Sequence, residues 1–303
     1  MKIVIAGGTG FVGKLLRNKL LSSGHEVTVL TRSQGAATTA REKFVAWDGK
    51  TLGDWAACLD GADAVINLAG ENIATVRWTA ARKRVIVSSR VDATRAIVSA
   101  IQSARKKPAV LIKASAVGYY GDVPDGFLTD ASSRGKGFLA ETCEQWEAEA
   151  GKAAHFGTRV VLARLGPVLG EKGGMLSRMV LPFRYFLGAL PGTGRQWIPW
   201  IHHEDVTGVF LFILENVDFS GPVNVTSPGP VTMKVFCEML AKILRRPCGF
   251  PIPGFLLKLF LGEMSSMLLF SQKAFPVKLI RTGYRFQYPM LPEALGSLLG
   301  KNG

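Results

Sequence analysis

The fold is decided by the stretch Met1-Lys-Ile-Val-Ile-Ala-Gly-Gly-Thr-Gly-Phe-Val-Gly13. Residues 3–6 are an uninterrupted apolar run, which predicts a short buried strand. Leucines recur at helical spacing over residues 15–21, which predicts a helix directly after the glycines. A strand, a turn with glycines at every third position and a helix form the setting in which such glycines bind a dinucleotide.

Each glycine of this turn has a separate physical task. Gly7 permits the tight turn, Gly10 lets a pyrophosphate approach the backbone, and Gly13 lets the helix pack closely on the strand. The helix N-terminus then offers free N–H groups and a partial positive charge to the phosphates. We therefore predict that the cofactor lies against the turn residues, which are Gly7, Thr9, Gly10, Phe11, Val12 and Gly13.

The first half of the sequence alternates predicted strands with predicted helices. The strands are predicted at residues 2–6, 26–31, 44–47, 64–68, 109–114 and 159–164, and the helices at 11–23, 79–106 and 138–154. Apolar strands without alternation, separated by helices, are typical of a parallel sheet covered on both faces. The predicted fold class is α/β, a Rossmann-type doubly wound parallel sheet.

After residue 167, glycine and proline divide the chain into shorter elements. Helices are predicted at residues 175–188, 205–215 and 233–244. We predict two domains: residues 1–166 form the NADP-binding Rossmann domain, completed by later segments around 197–226, and residues 167–303 form a smaller C-terminal α/β substrate subdomain with a C-terminal extension.

The end of the second predicted strand distinguishes between the two nicotinamide cofactors. An acidic residue there would hydrogen-bond the ribose 2′-hydroxyl of NAD, but the strand runs into Arg32 and Ser33. An arginine cannot accept from a hydroxyl, whereas it can form a charge-assisted pair with a 2′-phosphate. The sequence therefore favours NADP (NADPH) over NAD, the alternative being that Arg32 is an ordinary surface residue.

Two further strand ends are predicted to contact the cofactor. The small residues of the stretch Leu68, Ala69, Gly70 and Glu71 would let the ribose and pyrophosphate lie against the end of the fourth strand, where ligands of parallel sheets bind. Asp48, after the third strand, is a candidate acceptor for the adenine amino group and equally a candidate turn residue before a glycine.

Composition limits the class of protein. The 303 residues are 48% hydrophobic and carry a net charge of +14, and the four cysteines form no C-x-x-C pair. We expect a cytoplasmic protein with reduced cysteines and no metal site. No run of about eighteen apolar residues occurs, so no stable membrane insertion is expected. The basic clusters are short, so no nucleic-acid partner is expected, and a phosphate-rich cofactor accounts for only part of the excess charge.

Four segments of the chain resemble a known superfamily. The glycine turn, Ser115-Ala-Val-Gly-Tyr-Tyr-Gly121, Ile198-Pro-Trp-Ile-His-His-Glu-Asp-Val206 and Gly221-Pro-Val-Asn-Val225 resemble the extended short-chain dehydrogenase/reductase superfamily, in its nucleoside-diphosphate-sugar epimerase-like branch.

A narrower resemblance covers nearly the whole chain. Asn67-Leu-Ala-Gly-Glu-Asn-Ile73, Arg77-Trp78, Ser89-Arg90 and Pro199-Trp-Ile-His202 are similar to the uncharacterised "epimerase family" group, which is NAD-dependent epimerase/dehydratase-like and has a distinctive C-terminal extension. The resemblance implies an NADP-binding protein with a small-molecule substrate.

The superfamily's acid/base pair is missing. Its members use Tyr-x-x-x-Lys on the helix after the fifth strand, with the tyrosine moving the proton as hydride moves to or from the nicotinamide. No tyrosine of this chain is followed four residues later by lysine. In the expected helix, Phe138 or Leu139 stands where the tyrosine belongs, and Thr142 or Cys143 stands where the lysine belongs.

If the protein is an enzyme, other residues must then serve as its acid/base groups. The candidates are Ser115, Tyr119 (or its neighbour Tyr120) and His202, with Glu141 and Cys143 as weaker ones. The alternatives are that the tyrosines pack as partly buried aromatics and that the residues around His202 cap a helix. Arg90 is predicted to clamp a cofactor phosphate or an anionic substrate. Trp197 and Trp200 would suit an aromatic substrate.

Two functions remain open. The first is an NADP-dependent oxidoreductase or epimerase-like enzyme that acts on an unknown small substrate without the usual pair. The second is a non-catalytic NADP(H)-binding sensor or scaffold. The sequence predicts no oligomeric state.

Overall fold

The computed structural model describes residues 1–32 and 38–300. Its centre is a seven-stranded sheet in which all neighbouring strands are parallel. The strands are β1 (Lys2–Ala6), β2 (Glu26–Thr31), β3 (Glu42–Ala46), β4 (Ala64–Asn67), β5 (Val110–Ala116), β6 (Arg159–Leu165) and β11 (Gly221–Val225), and their spatial order is β11-β6-β5-β4-β1-β2-β3. The predicted α/β, Rossmann-type sheet is therefore confirmed.

Helices cover both faces of this sheet. On one face, α1 (Phe11–Ser22) and α5 (His203–Glu215) bury leucines, valines and phenylalanines against the strands. On the other face lie α2 (Ala80–Ser103), α3 (Phe138–Gly151) and 3-10 helices at Asp54–Leu59 and Lys152–Phe156. Because the central strands are buried on both faces, their sequences show no polar alternation.

A smaller C-terminal lobe has its own apolar core. That core joins α4 (Gly174–Arg184), α6 (Met233–Leu244) and α10 (Leu291–Leu299) around Trp200. The lobe also contains three pairs of short strands: β7 (Val168–Gly170) with β10 (Ile201–His202), β9 (Trp197–Ile198) with β12 (Val231–Thr232), and β8 (Leu190–Pro191) with β13 (Pro251–Ile252).

The remaining C-terminal elements are short helices. They are α7 (Gly254–Leu261), a 3-10 turn at Gly262–Ser265, α8 (Ser266–Leu269) and α9 (Val277–Arg281). None of the helices within the described ranges combines the length and the apolarity that crossing a bilayer requires.

The predicted domain boundaries stay a prediction, although the connectivity bears on them. β11 completes the sheet beside β6, and α5 packs onto the first sheet face, so later segments do join the N-terminal part. The short strands β9 and β10, also within 197–226, pair instead with β12 and β7 outside the main sheet.

Most predicted elements are present, with shifted ends. The helix predicted at 175–188 ends at Arg184, because the chain leaves helical geometry soon after Pro182, with Phe186 at a φ of +62°. The helix predicted to reach residue 106 ends at Ser103, five residues before Pro108.

Candidate functional site

The glycine turn has the geometry that its spacing predicts. Gly7 has a φ of +80°, and a Cβ atom there would lie 2.7 Å from the backbone carbon of Leu68. A Cβ atom on Gly13 would lie 2.2 Å from the carbonyl oxygen of Gly7. No side chain fits at either position, so the first helix can approach β1 and β4 this closely only with glycine.

The N-terminus of α1 is open to an anion. The helix begins at Phe11 after Gly10, whose carbonyl accepts from the Lys14 N–H at 2.9 Å. The N–H groups of the first helical turn have no intrahelical acceptor, no side chain caps them, and the turn contains no acidic residue. These donors and the helix dipole suit a pyrophosphate, so the residues present fit a dinucleotide.

The other predicted turn residues take different positions. Thr9 is exposed between the glycines, and Val12 packs into the first apolar core. The ring of Phe11 lies against two glycines of the C-terminal lobe, since a Cβ atom on Gly170 or Gly173 would come within 2.3 or 2.4 Å of it. Phe11 therefore fixes the glycine turn to the segment between β7 and α4.

A group of alternating charges lies at the ends of β2 and β4. Both terminal nitrogens of Arg32 lie 3.4 Å from a carboxylate oxygen of Glu71, and Arg82 lies 3.6 Å from the other oxygen. The Arg32 side chain is 72% exposed, so its guanidinium keeps surface for another anion. Ser33, predicted beside it, lies outside the described residues.

The end of β4 is built to leave room. The N–H of Glu71 donates to the Ser89 hydroxyl, and the N–H of Ala69 donates to the Asn67 side chain. A Cβ atom on Gly70 would lie 3.0 Å from the guanidinium carbon of Arg90, so Gly70 allows this arginine to lie along the strand end.

Arg90 is more deeply buried than a residue that clamps a cofactor phosphate needs to be. It donates to the carbonyl of Ile86, and its guanidinium carbon lies 5.1 Å from the centre of the Trp146 ring. Burial lowers the pKa of Arg90 to about 10. The group still carries its charge at neutral pH and keeps donors that the Ile86 contact does not use.

Asp48 matches the turn interpretation. One carboxylate oxygen accepts from the backbone N–H groups of Lys50 and Thr51, and the other accepts from the Thr51 hydroxyl at 2.6 Å. These bonds lower the pKa of Asp48 to about 2. The carboxylate is engaged in its own turn, which favours that alternative over adenine binding.

Ser115 belongs to a buried charge network. Its hydroxyl donates to Glu147 at 2.6 Å, and the same carboxylate accepts two hydrogen bonds from Arg164, at 2.9 and 2.8 Å. This geometry does not support the prediction that Ser115 is an acid/base group, because its proton is held by a carboxylate already paired with arginine.

The network continues to Tyr120. Its hydroxyl donates to the side-chain oxygen of Asn224 at 2.7 Å and accepts from Arg164 at 3.0 Å. Burial raises the pKa of Tyr120 to about 12. Fully buried and bonded on both sides, Tyr120 has a structural role.

Tyr119 differs from its neighbour. It is half-buried, with the guanidinium carbon of Arg164 3.5 Å from its ring centre and the Tyr120 ring packed edge-on. Within the described part of the chain, its hydroxyl makes no hydrogen bond. The residue follows β5 at the sheet edge where ligands of parallel sheets bind, so Tyr119 keeps its place as the candidate proton donor.

The helix that should carry the acid/base pair presents apolar groups instead. Leu139 and Cys143 are the α3 side chains nearest to Gly118, in the 3-10 turn Val117–Tyr120. Burial and the nearby Glu147 raise the pKa of Cys143 to about 11, so it is a thiol at neutral pH and a poor nucleophile. Glu141 is exposed.

The surroundings of His202 favour the helix-capping alternative over the predicted catalytic role. The ring is almost fully buried, its Nδ1 accepts from the Glu204 N–H at the start of α5, and its Nε2 lies 3.2 Å from the Ser297 hydroxyl. Burial and the neighbouring His203 lower its pKa to about 3. His202 caps a helix and joins it to α10.

Asp205, expected at the helix start, also has a structural function. It lies in the first turn of α5, and its carboxylate accepts from the N–H groups of Gln287 and Tyr288 and from the hydroxyl of Tyr284. His202, at the end of β10, and Asp205 thus hold the C-terminal extension against the start of α5.

The two tryptophans predicted to suit an aromatic substrate differ in their exposure. Trp200 is fully buried, and its indole N–H donates to the Gly229 carbonyl, so it cannot touch a substrate. Trp197 is half-buried, with the Lys273 amine 4.0 Å from its ring centre.

Sequence reasoning missed two residues of this region. Lys113 is fully buried on β5, where its amine donates to the Ala114 carbonyl and lies 3.2 Å from the centre of the Trp146 ring. Burial and the nearby Arg90 lower its pKa well below the usual value. Glu147 was the other omission. The available signal for Lys113 was a charged residue inside an apolar strand. For Glu147 it was a charged residue on the inner side of α3.

Comparison with known proteins agrees with this geometry. A family model described as "NAD dependent epimerase/dehydratase family" matches residues 3–226, and a domain of unknown function, DUF1731, matches residues 252–298. "Epimerase family protein YfhF" of Bacillus subtilis is 42% identical over 99% of this chain and 98% of its own.

Two further relatives extend the comparison. The chloroplastic "Epimerase family protein SDR39U1 homolog" of Arabidopsis thaliana is 38% identical over 99% of this chain and 87% of its own. The crystal structure of human epimerase family protein SDR39U1 (isoform 2) with NADPH superposes with a TM-score of 0.89 at 33% identity, covering all of both chains.

The glycine turn, the seven-stranded parallel sheet and these matches lead to one conclusion: the chain belongs to the NAD dependent epimerase/dehydratase family and has its NAD(P)-binding fold.

Proposed function

We propose that the protein is an NADPH-dependent reductase of a small carbonyl compound, with Tyr119 as the proton donor. The observation that carries the proposal is the Tyr119 hydroxyl, which makes no hydrogen bond with the described residues and follows β5 at the ligand-binding edge. The other candidates are engaged: Ser115 with Glu147, and His202 with α5 and α10.

NADPH is proposed rather than NADH on two grounds. Arg32 presents an exposed guanidinium at the end of β2, where a ribose 2′-phosphate is recognised in this fold. The human relative was crystallised with NADPH. Glu71 and Arg82 support Arg32 from one side, so an incoming phosphate would exchange a long, exposed ion pair for a charge-assisted one.

In this proposal the residues of the site have separate roles. The N–H groups of the first turn of α1 hold the pyrophosphate, and Arg32 holds the 2′-phosphate. When bound, NADPH supplies the hydride that adds to the carbonyl carbon. The Tyr119 hydroxyl gives its proton to the carbonyl oxygen and regains one from water, which yields an alcohol. The buried Glu147–Arg164 pair keeps the Tyr119 ring in place.

The substrate is proposed to be small, and anionic or aromatic. Arg90 retains hydrogen-bond donors beside Gly70, and the half-buried ring of Tyr119 offers an aromatic surface. Because Trp200 is buried away from the sheet edge, it is not part of this surface.

The test is NADPH oxidation, followed by absorbance, across a panel of quinones, aldehydes and sugar nucleotides. With an active compound, Tyr119→Phe should lower kcat by about 100-fold or more with little change in NADPH affinity. Tyr288→Phe is the matched control, because its hydroxyl also makes no hydrogen bond with the described residues. Equal rates for wild type and Tyr119→Phe would refute the assignment of Tyr119.

The second candidate function is a non-catalytic NADPH-binding sensor or scaffold. It is favoured by the apolar groups, Leu139 and Cys143, that α3 presents where the acid/base pair belongs. NADPH binding without oxidation by any compound of the panel would support this function over the reductase.

A further inference from the structure

The helix α7 of the C-terminal lobe has no buried residue. The sequence of α7 is Gly-Phe-Leu-Leu-Lys-Leu-Phe-Leu, which is apolar at six of its eight positions, yet every side chain is at least partly accessible. Phe255, Leu259 and Phe260 are each between 64% and 71% exposed. Burying such side chains normally stabilises a helix, so α7 lacks the apolar surroundings that its sequence calls for.

A second exposed apolar segment lies next to it. Tyr185, Phe186 and Leu187 follow α4 and are all exposed. Backbone pairing brings this segment beside the start of the C-terminal extension, because the Gly249 N–H donates to Gly188 at 2.7 Å and β13 pairs with β8. We use the name apolar patch for the exposed residues Tyr185, Phe186, Leu187, Phe250, Phe255, Leu259 and Phe260.

Basic residues outnumber acidic residues around this patch. Residues 172–195 and 239–262 contain no aspartate or glutamate, and the acidic residues that flank these ranges are Glu171, Glu238 and Glu263. The cationic rim consists of the basic residues that lie next to the patch residues along these segments, which are Arg184, Arg245, Arg246 and Lys258. The guanidinium carbon of Arg246 lies 4.4 Å from the centre of the Phe186 ring, so positive charge directly borders the apolar surface.

The charge pattern distinguishes between possible partners. A second copy packed symmetrically on this face would bring the cationic rim against itself, which like-charge repulsion disfavours. An anionic lipid surface complements both features at once, since aromatic and aliphatic side chains enter the interface while lysine and arginine meet the headgroups.

We propose that the apolar patch and the cationic rim bind the protein peripherally to an anionic lipid bilayer. The proposal is independent of the reductase activity, and it accounts for part of the +14 net charge that cofactor binding leaves unexplained. The helix α7 lies in the interfacial plane, and no segment crosses the bilayer.

The test is co-sedimentation of the full-length protein with vesicles. Wild type should bind phosphatidylcholine vesicles containing about one third phosphatidylglycerol, bind pure phosphatidylcholine much more weakly, and dissociate at high salt. The triple variant Arg245→Gln, Arg246→Gln, Lys258→Gln should partition about 100-fold more weakly, since each basic residue contributes roughly sixfold at the surface.

A matched control removes the same charge elsewhere. Arg105→Gln, Lys106→Gln, Lys107→Gln alters the exposed basic cluster after α2 and should bind anionic vesicles like wild type. An equal loss in both triple variants would overturn the proposal, because binding would then follow net charge alone.

A second pair of variants tests the apolar contribution. Phe255→Ser with Phe260→Ser should abolish vesicle binding, whereas Leu52→Ser with Val217→Ser, which alters two exposed residues outside the patch, should not. An unchanged melting temperature verifies folding. The proposal is wrong if wild type does not bind anionic vesicles, or if the patch variant only converts a dimer into a monomer.

Discussion

The glycine turn, after β1, and the buried charge network, at the ends of β5 and β6, lie at the same edge of one sheet and have opposite characters. Within residues 7–13, Gly7 and Gly13 have no room for a side chain, and no side chain caps the N-terminus of α1. At the ends of β5 and β6, side chains engage one another: Ser115, Glu147, Arg164 and Tyr120 satisfy each other's hydrogen bonds.

This difference between the two regions bears separately on cofactor binding and on catalysis. The turn keeps the close packing that a dinucleotide-binding turn requires, because steric contacts at Gly7 and Gly13 exclude any side chain. In the network, by contrast, the Ser115 and Tyr120 hydroxyls are engaged, and the neighbouring Tyr119 hydroxyl makes no hydrogen bond with the described residues. A family fold can therefore keep the geometry of its cofactor site where its usual acid/base pair is absent.

The largest effect is expected in the glycine turn. In Gly13→Val, a Cβ atom would lie 2.2 Å from the Gly7 carbonyl oxygen, so α1 must move away and its N–H groups lose their alignment. We expect NADPH affinity to fall by about 100-fold or more, measured by protein fluorescence.

Gly151→Ala serves as the control, because a Cβ atom there meets no atom within 4 Å. It should bind NADPH like wild type and be as stable or slightly more stable. If Gly13→Ala and Gly13→Val both fold and bind NADPH normally, the proposed role of the turn is wrong.

The next effect concerns the stability of the network. Glu147→Gln leaves the buried guanidinium of Arg164 without its charge partner, since the two side chains are only 8% and 4% exposed. The free energy of unfolding, measured by urea denaturation, should fall by about 3–5 kcal/mol.

Glu144→Gln lies on the same helix and breaks an exposed ion pair with Arg134. Its cost should stay below about 1 kcal/mol, because exposed pairs contribute little. Similar losses for the two variants would show that the network is not the stabilising feature we describe.

A smaller effect on stability is expected when the pH is lowered. The pKa of His202 is about 3 in the folded protein, against 6.5 for an unburied histidine. Below pH 6.5 the unfolded chain binds a proton that the folded protein does not, so stability is full above that pH and decreases as the pH falls towards 3. Between pH 7 and 5 the free energy of unfolding should drop by about 1–2 kcal/mol through His202.

The variant His202→Asn keeps an acceptor for the Glu204 N–H but has no titrating ring. Its unfolding free energy should vary less between pH 7 and 5 than that of wild type, while the exposed-site control His155→Asn should keep the wild-type slope. A wild-type slope in His202→Asn would contradict the structural role of this histidine.

The sequence allowed accurate predictions where the cause is local. The bounds of β1 and β2 and the tasks of Gly7 and Gly13 follow from a few adjacent residues. It could not reveal the network, because Ser115 and Glu147 are 32 positions apart and meet only after β5 and α3 have packed. The sequence could not reveal the contacts of His202 for the same reason, since its partner Ser297 lies 95 positions away.

The central claim is that this turn holds NADPH, selected by Arg32. Its most direct test is a parallel titration of NADPH and NADH with wild type, Arg32→Ala and Arg41→Ala, the last of which removes an exposed arginine at the start of β3. We expect wild type and Arg41→Ala to prefer NADPH by about tenfold or more, and Arg32→Ala to lose that preference with unchanged NADH affinity. Equal affinity of wild type for both cofactors, or an undiminished preference in Arg32→Ala, would contradict the claim.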